Sequence, residues 1–249
     1  MRGRYPAPSG VAFSFGPGGI TPAVKLLILT NIAVFVITFF AQELVLLLGL
    51  RPADALGGLA IWQPVTYMFL HGGFGHILFN MLALWMFGVE LERMWGTRFF
   101  LKYYFVCGVG AALTTIVLSF VPLPIFEHLW GALTVGASGA IYGILLAYGL
   151  YFPNRPIYIY FIFPVPAKYF VMIMGGVSLL MSLGGTGSGV AHATHLGGLV
   201  VGYFYLKRTR VHLLSELQYR FLKWRINRMR RKFDVYSGGR ADDINRRVH

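Results

Sequence analysis

The sequence predicts an all-α membrane protein: a bundle of six transmembrane helices followed by a basic amphipathic helix at the C-terminus. Three observations lead there. Of 249 residues, 56% are hydrophobic and only 12% charged, and the mean hydropathy is +0.62, far from the composition of a soluble domain. Six apolar segments, near 25–48, 68–90, 98–121, 137–152, 167–183 and 191–206, follow one another along the chain. Most approach the roughly 20 residues that cross ~30 Å of hydrocarbon. Finally, Lys and Arg fall on alternate ends of these segments: Arg2, Arg4 and Lys25, then Arg93, Arg98 and Lys102, then Arg155 and Lys168, then residues 207–249. The intervening loops carry Arg51 alone among basic residues, so both termini are expected in the cytoplasm.

Residues 1–24, rich in Pro and Gly and without an apolar signal region, read as a short cytoplasmic leader. Residues 25–206 form the six-helix core. Cys107 lies in an apolar stretch and reads as a small buried filler; as the single cysteine it excludes a disulfide framework. Residues 207–249 hold thirteen of the 22 Lys and Arg against Glu216, Asp234, Asp242 and Asp243. There Leu213, Leu214, Leu217, Phe221, Leu222 and Trp224 interleave with Arg220, Lys223, Arg225, Arg228, Arg230, Arg231 and Lys232, the pattern of a basic amphipathic helix on anionic lipid. Nothing in it resembles a nucleic-acid reading motif.

The second, fourth and sixth segments run from the outer face inward, so their polar residues can be placed by depth. Counting ~1.5 Å per residue from the cytoplasmic ends puts His76 and Ser138 about 21 Å up and His195 about 18 Å up. Three polar groups distant in sequence share one level, roughly 10 Å below the outer surface of the hydrocarbon. Polar side chains at that depth are costly unless they pair or line a wet cavity, so the set is a candidate site.

Ser138 stands in Gly136-Ala137-Ser138-Gly139-Ala140, continuing to Gly143. Small residues at this spacing let membrane helices approach, and the stretch alone favours packing over chemistry. The fourth segment is short, however, and begins at the level of the serine. Its hydroxyl and amide therefore sit at a helix N-terminus, where free N–H groups favour developing negative charge. His195 leads a stripe with Gly198 and Gly202 that is expected to pack backbone-close against Gly139 and Gly143, bringing His195 to Ser138. Tyr142, one turn below Ser138, would then stack on the imidazole. His192 is expected to hold a loop by a hydrogen bond, and His71 to be structural. His76 and Asn80, at i and i+4, aim two donors at one point, which fits either an oxyanion hole or an interhelical hydrogen-bond pair.

At these residues the chain resembles the rhomboid family, from about Trp62 to Gly202. Gly136-Ala137-Ser138-Gly139 looks like the family's nucleophile motif, and His195 with Gly198 and Gly202 like its catalytic-histidine helix. His76-Ile77-Leu78-Phe79-Asn80 resembles its HxxxN motif, and Gly88, Glu92 and Gly96 its GxxxExxxG helix end. Trp62-Gln63 with Thr66 stands where the family has Trp-Arg; the departure at Gln63 concerns loop contacts rather than chemistry. The resemblance implies an intramembrane serine endopeptidase with a Ser138–His195 dyad and an oxyanion hole of the Ser138 amide, His76 and Asn80. It implies a transmembrane helix of another membrane protein as substrate, cleaved near the outer face. The residue inventory agrees with a dyad, because all four aspartates lie outside the spans and Glu90 and Glu92 lie about 20 Å from the serine level.

The rival reading is an inactive rhomboid-like protein that binds membrane clients; such a protein should lack Ser138 or His195. An aspartyl protease would need two aspartates at membrane depth, a zinc protease HExxH, and a transporter paired broken helices; none is in the sequence. No cofactor is expected, and no metal either, since His192 and His195 lack a third ligand. The loop Gly184-Gly185-Thr186-Gly187-Ser188-Gly189 is expected to let the fifth segment open as a lateral gate. The six-span core and its leader suggest a bacterial inner-membrane protein. Deleting residues 213–249 is expected to lower activity in anionic bilayers if the tail does more than anchor; unchanged activity would reduce it to an anchor.

Overall fold

A computed structural model describes residues 17–124, 126–159, 162–183 and 189–209. Most of the leader, residues 184–188 of the glycine loop and the tail from residue 210 lie outside the described residues. Six principal helices are α1, Pro22–Phe40; α2, Phe74–Trp95; α3, Thr97–Leu118; α4, Ser138–Tyr151; α5, Ala167–Leu183; and α6, Gly189–Thr209. The compact unit that holds them ends at Tyr205, and of the second unit, Leu206–His249, only the last turn of α6 is described.

The helices α1, α2 and α3 are long and apolar enough to cross a membrane, and α4 and α5 are shorter apolar helices. In α6 the run is diluted by His192, Thr194, His195 and four glycines. The surface is that of a protein dissolved in lipid. Large apolar side chains point outward, among them Phe40 at 82% exposure, Phe79 and Met172 at 70% and Val117 at 64%, while Asn31, Thr115 and Ser178 are fully buried.

The sequence places the end of the first span at residue 48, but α1 stops at Phe40 and a separate short helix, Glu43–Leu48, follows. Ala41-Gln42-Glu43 interrupts the apolar run there, and a window of mean hydropathy does not register a break of two residues. The chain from Gly49 to Gly73 then folds into short helical turns. Buried Gln63 secures them: its Oε1 accepts from Arg51 N at 3.1 Å and its Nε2 reaches Leu47 O at 3.5 Å. Trp62 Nε1 donates to the same Leu47 carbonyl at 3.0 Å, and Thr66 Oγ1 to Leu48 O at 2.6 Å. A second unforeseen feature is an antiparallel hairpin between α4 and α5, β1 Pro156–Ile159 paired with β2 Phe163–Pro166. Its base is tied to the end of α4 by Ala167 N donating to Arg155 O and Lys168 N to Pro153 O, at 2.9 and 3.1 Å.

The motif Gly88, Glu92, Gly96 has a physical role in this frame. A Cβ on Gly88 would lie 3.1 Å from both Val24 of α1 and Phe100 of α3, so three helices converge there. Gly96 takes φ of +79° to turn the chain from α2 into α3. Glu92 is buried and caps α1: its carboxylate accepts from Ala23 N at 2.9 Å, Val24 N at 3.0 Å and the Thr21 hydroxyl, and from Thr97 Oγ1 at 2.7 Å. An anionic acceptor thus meets the free N–H groups of a helix start, where each such bond is strongest.

At the centre, α4 and α6 touch along glycines. A Cβ on Gly198 would stand 1.9 Å from the Gly139 carbonyl oxygen, and one on Gly202 would be 3.3 Å from Gly143 Cα. Cys107 of α3, fully buried, closes the seam, 2.4 Å from where a Cβ of Gly143 would be. Tyr103 Oη donates to Gly143 O at 2.8 Å, and Thr115 Oγ1 lies 2.7 Å from Thr194 Oγ1, which joins α3 to α6. Gly198→Ala is expected to destabilise the protein by about 2–3 kcal/mol, because backbone cannot move aside as a side chain can. Gly176→Ala, with nothing within 4 Å of the new methyl, should change stability little; unfolding of both variants in detergent measures the contrast.

Candidate active site

The segment before α4 is held extended on both sides. Leu50 and Thr134 exchange backbone bonds of 2.9 and 2.8 Å, and Gly136 N donates to Tyr67 O at 2.9 Å. Ser138 then opens α4. The first helical bond runs from Ile141 N to Ala137 O at 3.0 Å, so helix geometry leaves the amides of Ser138, Gly139 and Ala140 without an acceptor inside the helix.

Across the glycine seam, His195 Nε2 lies 2.8 Å from Ser138 Oγ. The Tyr142 ring lies parallel to the imidazole, 4.3 Å between centroids and 8° between planes. His195 Nδ1 is buried and has no hydrogen-bond partner among the described residues. Both carboxylates of the second span are engaged elsewhere, Glu92 at the start of α1 and Glu90 with Arg155. The arrangement is a serine and a histidine in contact, with an aromatic ring on the imidazole face and, among the described residues, no carboxylate on Nδ1.

His76 approaches from α2. A Cβ on Gly136 would lie 2.8 Å from His76 Nε2 and 3.5 Å from Ser138 Oγ, so the two groups flank one position. Gly136 itself has φ of +127°, a conformation that L side chains rarely adopt. His76 Nδ1 accepts from Gly72 N at 3.4 Å, which assigns the ring proton to Nε2, the nitrogen on the Gly136 side. Asn80, one turn below, is buried, and its Nδ2 donates to the His76 carbonyl at 2.8 Å. It is tied to its own helix, with a second amide hydrogen left over by its chemistry.

Of the residues singled out in the sequence, the structure thus brings Ser138, His195 and Tyr142 into contact, sets His76 beside Gly136, and gathers Gly139, Gly143, Gly198 and Gly202 in one seam. The ring of His192 is edge-on to His195, 5.6 Å between centroids, and its Nδ1 has no hydrogen-bond partner among the described residues; residues 184–188 of the loop it is expected to hold lie outside the described residues. His71, buried, lies edge-on to His76 at 5.0 Å. Sequence reasoning missed the φ of Gly136 and the bond from Ser178 Oγ to Tyr142 Oη, 3.0 Å. The two serines amid the apolar residues of α5, Ser178 and Ser182, were the available signal for the latter.

Residues 59–210 match the model of the Rhomboid domain. The chain is 34% identical over 145 residues to Rhomboid protease GluP of Bacillus subtilis, covering 57% of this chain and 25% of that protein. Rhomboid protease AarA of Providencia stuartii is 33% identical over 156 residues, 57% of this chain and 53% of that protein. Rhomboid protease GlpG of Haemophilus influenzae is 29% identical over 184 residues, 72% of this chain and 87% of that protein. The chain therefore spans between a quarter and about half of the length of the first two.

Gly136→Ala adds a methyl within 2.8 Å of the His76 ring at a strained φ. It is expected to preserve the fold in detergent while slowing fluorophosphonate labelling of Ser138 by roughly tenfold to a hundredfold, as ~1 Å displacements at reacting groups do.

Proposed function

Because the chain belongs to the rhomboid family, we propose that it is an intramembrane serine endopeptidase that works by a Ser138–His195 dyad. One observation carries this reading: the 2.8 Å separation of Ser138 Oγ and His195 Nε2 at the start of a helix inside a lipid-facing bundle. In this mechanism the hydroxyl donates to Nε2, and the ring proton is on Nδ1. The serine oxygen attacks the scissile carbonyl as Nε2 takes its proton. His195 returns that proton to the leaving amine, and water, activated by the same nitrogen, hydrolyses the acyl-enzyme.

The oxyanion is stabilised by the Ser138 amide at the helix start, by His76 Nε2–H and by Asn80. The support for His76 is its place beside Gly136 and its proton on the near nitrogen. Asn80 contributes by turning an amide hydrogen from the His76 carbonyl toward the developing charge. Donors aimed where charge appears are worth most in a site with little competing water. No step calls for a metal or cofactor.

The proposed substrate is a transmembrane segment of another membrane protein, cleaved near the outer face. The depth of Ser138 counted from the basic ends of the spans supports this, as does the distribution of Lys and Arg, which favours six spans with both termini in the cytoplasm; the six-span core and its leader favour a bacterial inner membrane. Entry is by displacement of α5, and the basic tail lies on anionic lipid.

In proteoliposomes with a fluorogenic transmembrane reporter, Ser138→Ala and His195→Ala are each expected to abolish cleavage. Asn80→Ala should lower the rate by about 10²–10³, the range for loss of one oxyanion donor. A folded wild type that cleaves no reporter in a panel would favour client binding without proteolysis.

A further inference from the structure

The helix α5 is apolar apart from Lys168, Ser178 and Ser182. Ser178 is fully buried. A serine inside a membrane helix has an inexpensive partner in the carbonyl one turn back, yet its Oγ donates across the helix interface to Tyr142 Oη at 3.0 Å. Tyr142 in turn lies flat against His195, with 4.3 Å between ring centroids. Three helices are thereby joined in one line: α5 through Ser178, α4 through Tyr142 and α6 through His195.

What orients His195 gives this line its meaning. The Nδ1 nitrogen has no hydrogen-bond partner among the described residues, so the ring is held by Ser138 on Nε2 and by the faces packed against it. The broad face is that of Tyr142, and the edge contact is His192. A phenol ring anchored only by packing can rock about its side-chain bonds; one tethered at its hydroxyl is fixed at the far end as well.

We propose that Ser178 is a positioning residue for the dyad, acting through the Tyr142 hydroxyl to hold the His195 imidazole in the plane that meets Ser138. Elsewhere α5 is seated by apolar contacts, Val171 against Gly149 and Leu199 of α6 near Gly175. Movement of α5 that separates Ser178 from Tyr142 therefore loosens His195, and the dyad is fully aligned when α5 is home. This rests on the proteolytic reading, and the test separates the two.

Turnover of a transmembrane reporter is measured for Ser178→Ala, Tyr142→Phe and the double variant. Ser178→Ala is expected to lower kcat roughly threefold to tenfold, the range carried by one net hydrogen bond, with KM unchanged. In the Tyr142→Phe background the same change should have no further effect, and Ser178→Thr, which keeps the hydroxyl, should restore most of the rate. In parallel, histidine-selective ¹⁵N NMR in micelles follows the His195 imidazole, whose signal should shift in Ser178→Ala but not when Phe already replaces Tyr142. Equal rate losses in both backgrounds, or an unmoved His195 signal, would overturn the proposal. If the wild type cleaves no reporter, the proteolytic reading fails while the His195 signal still decides whether Ser178 acts through Tyr142.

Discussion

Among the described glycines, the one with least room for a side chain stands where two backbones meet. Gly198 faces the carbonyl of Gly139 so nearly that a methyl group at its Cα would stand 1.9 Å from the oxygen. Everything at the site is referred to that contact. With α4 and α6 separated by the width of one side chain, Ser138 and His195 would lose their hydrogen bond, and the Tyr142 and His195 rings would no longer stack. In lipid there is no hydrophobic force to press helices together, so surfaces of small residues and a few buried hydrogen bonds do this work. The bonds are here: Tyr103 to the Gly143 carbonyl, Thr115 with Thr194, and Tyr67 Oη to Gly108 O at 2.7 Å.

Hydrocarbon as a solvent also explains why the polar residues are so informative. A buried polar group is costly without a partner, and several of those described here find theirs on another element. Glu92 joins α2 to the start of α1 and to Thr97, Gln63 gathers the loop after α1, and Ser178 reaches from α5 to α4. Gln63 is instructive, since the family resemblance has arginine there. The neutral amide offers an acceptor that a guanidinium lacks, and it is that oxygen which takes the Arg51 N–H.

Much of the helical frame was legible in advance because membrane spans announce themselves by length and hydropathy; α3 to α5 begin and end within three residues of the segments read from the sequence, whereas α2, Phe74–Trp95, is shifted by five to six residues from the segment read as 68–90. The exceptions have local causes. Helix α1 ends eight residues early at a short polar interruption, and the hairpin before α5 rests on Pro156, Pro164 and Pro166 beside β-branched residues, a pattern too brief to distinguish from loop. At the site, Ser138, His195, His76 and Asn80 stood out because polar residues are rare within apolar segments. Asn80 shows where such reading stops: its spacing from His76 was plain, but the choice of the His76 carbonyl as its partner was not.

By itself the sequence determined the solvent, the approximate bounds of most helices and a short list of polar and small residues to look for inside the bundle, because each of these follows from local composition and a helical rise of ~1.5 Å per residue. Only the tertiary structure decided which of them meet. The 2.8 Å contact between Ser138 and His195 spans 57 positions in the chain, the extended turn at Gly136 depends on backbone bonds from a distant loop, and Ser178 found its acceptor on another helix. Such contacts depend on how helices are rotated and how closely they approach, which is set by shape and hydrogen bonding across interfaces rather than by the residues of any one helix.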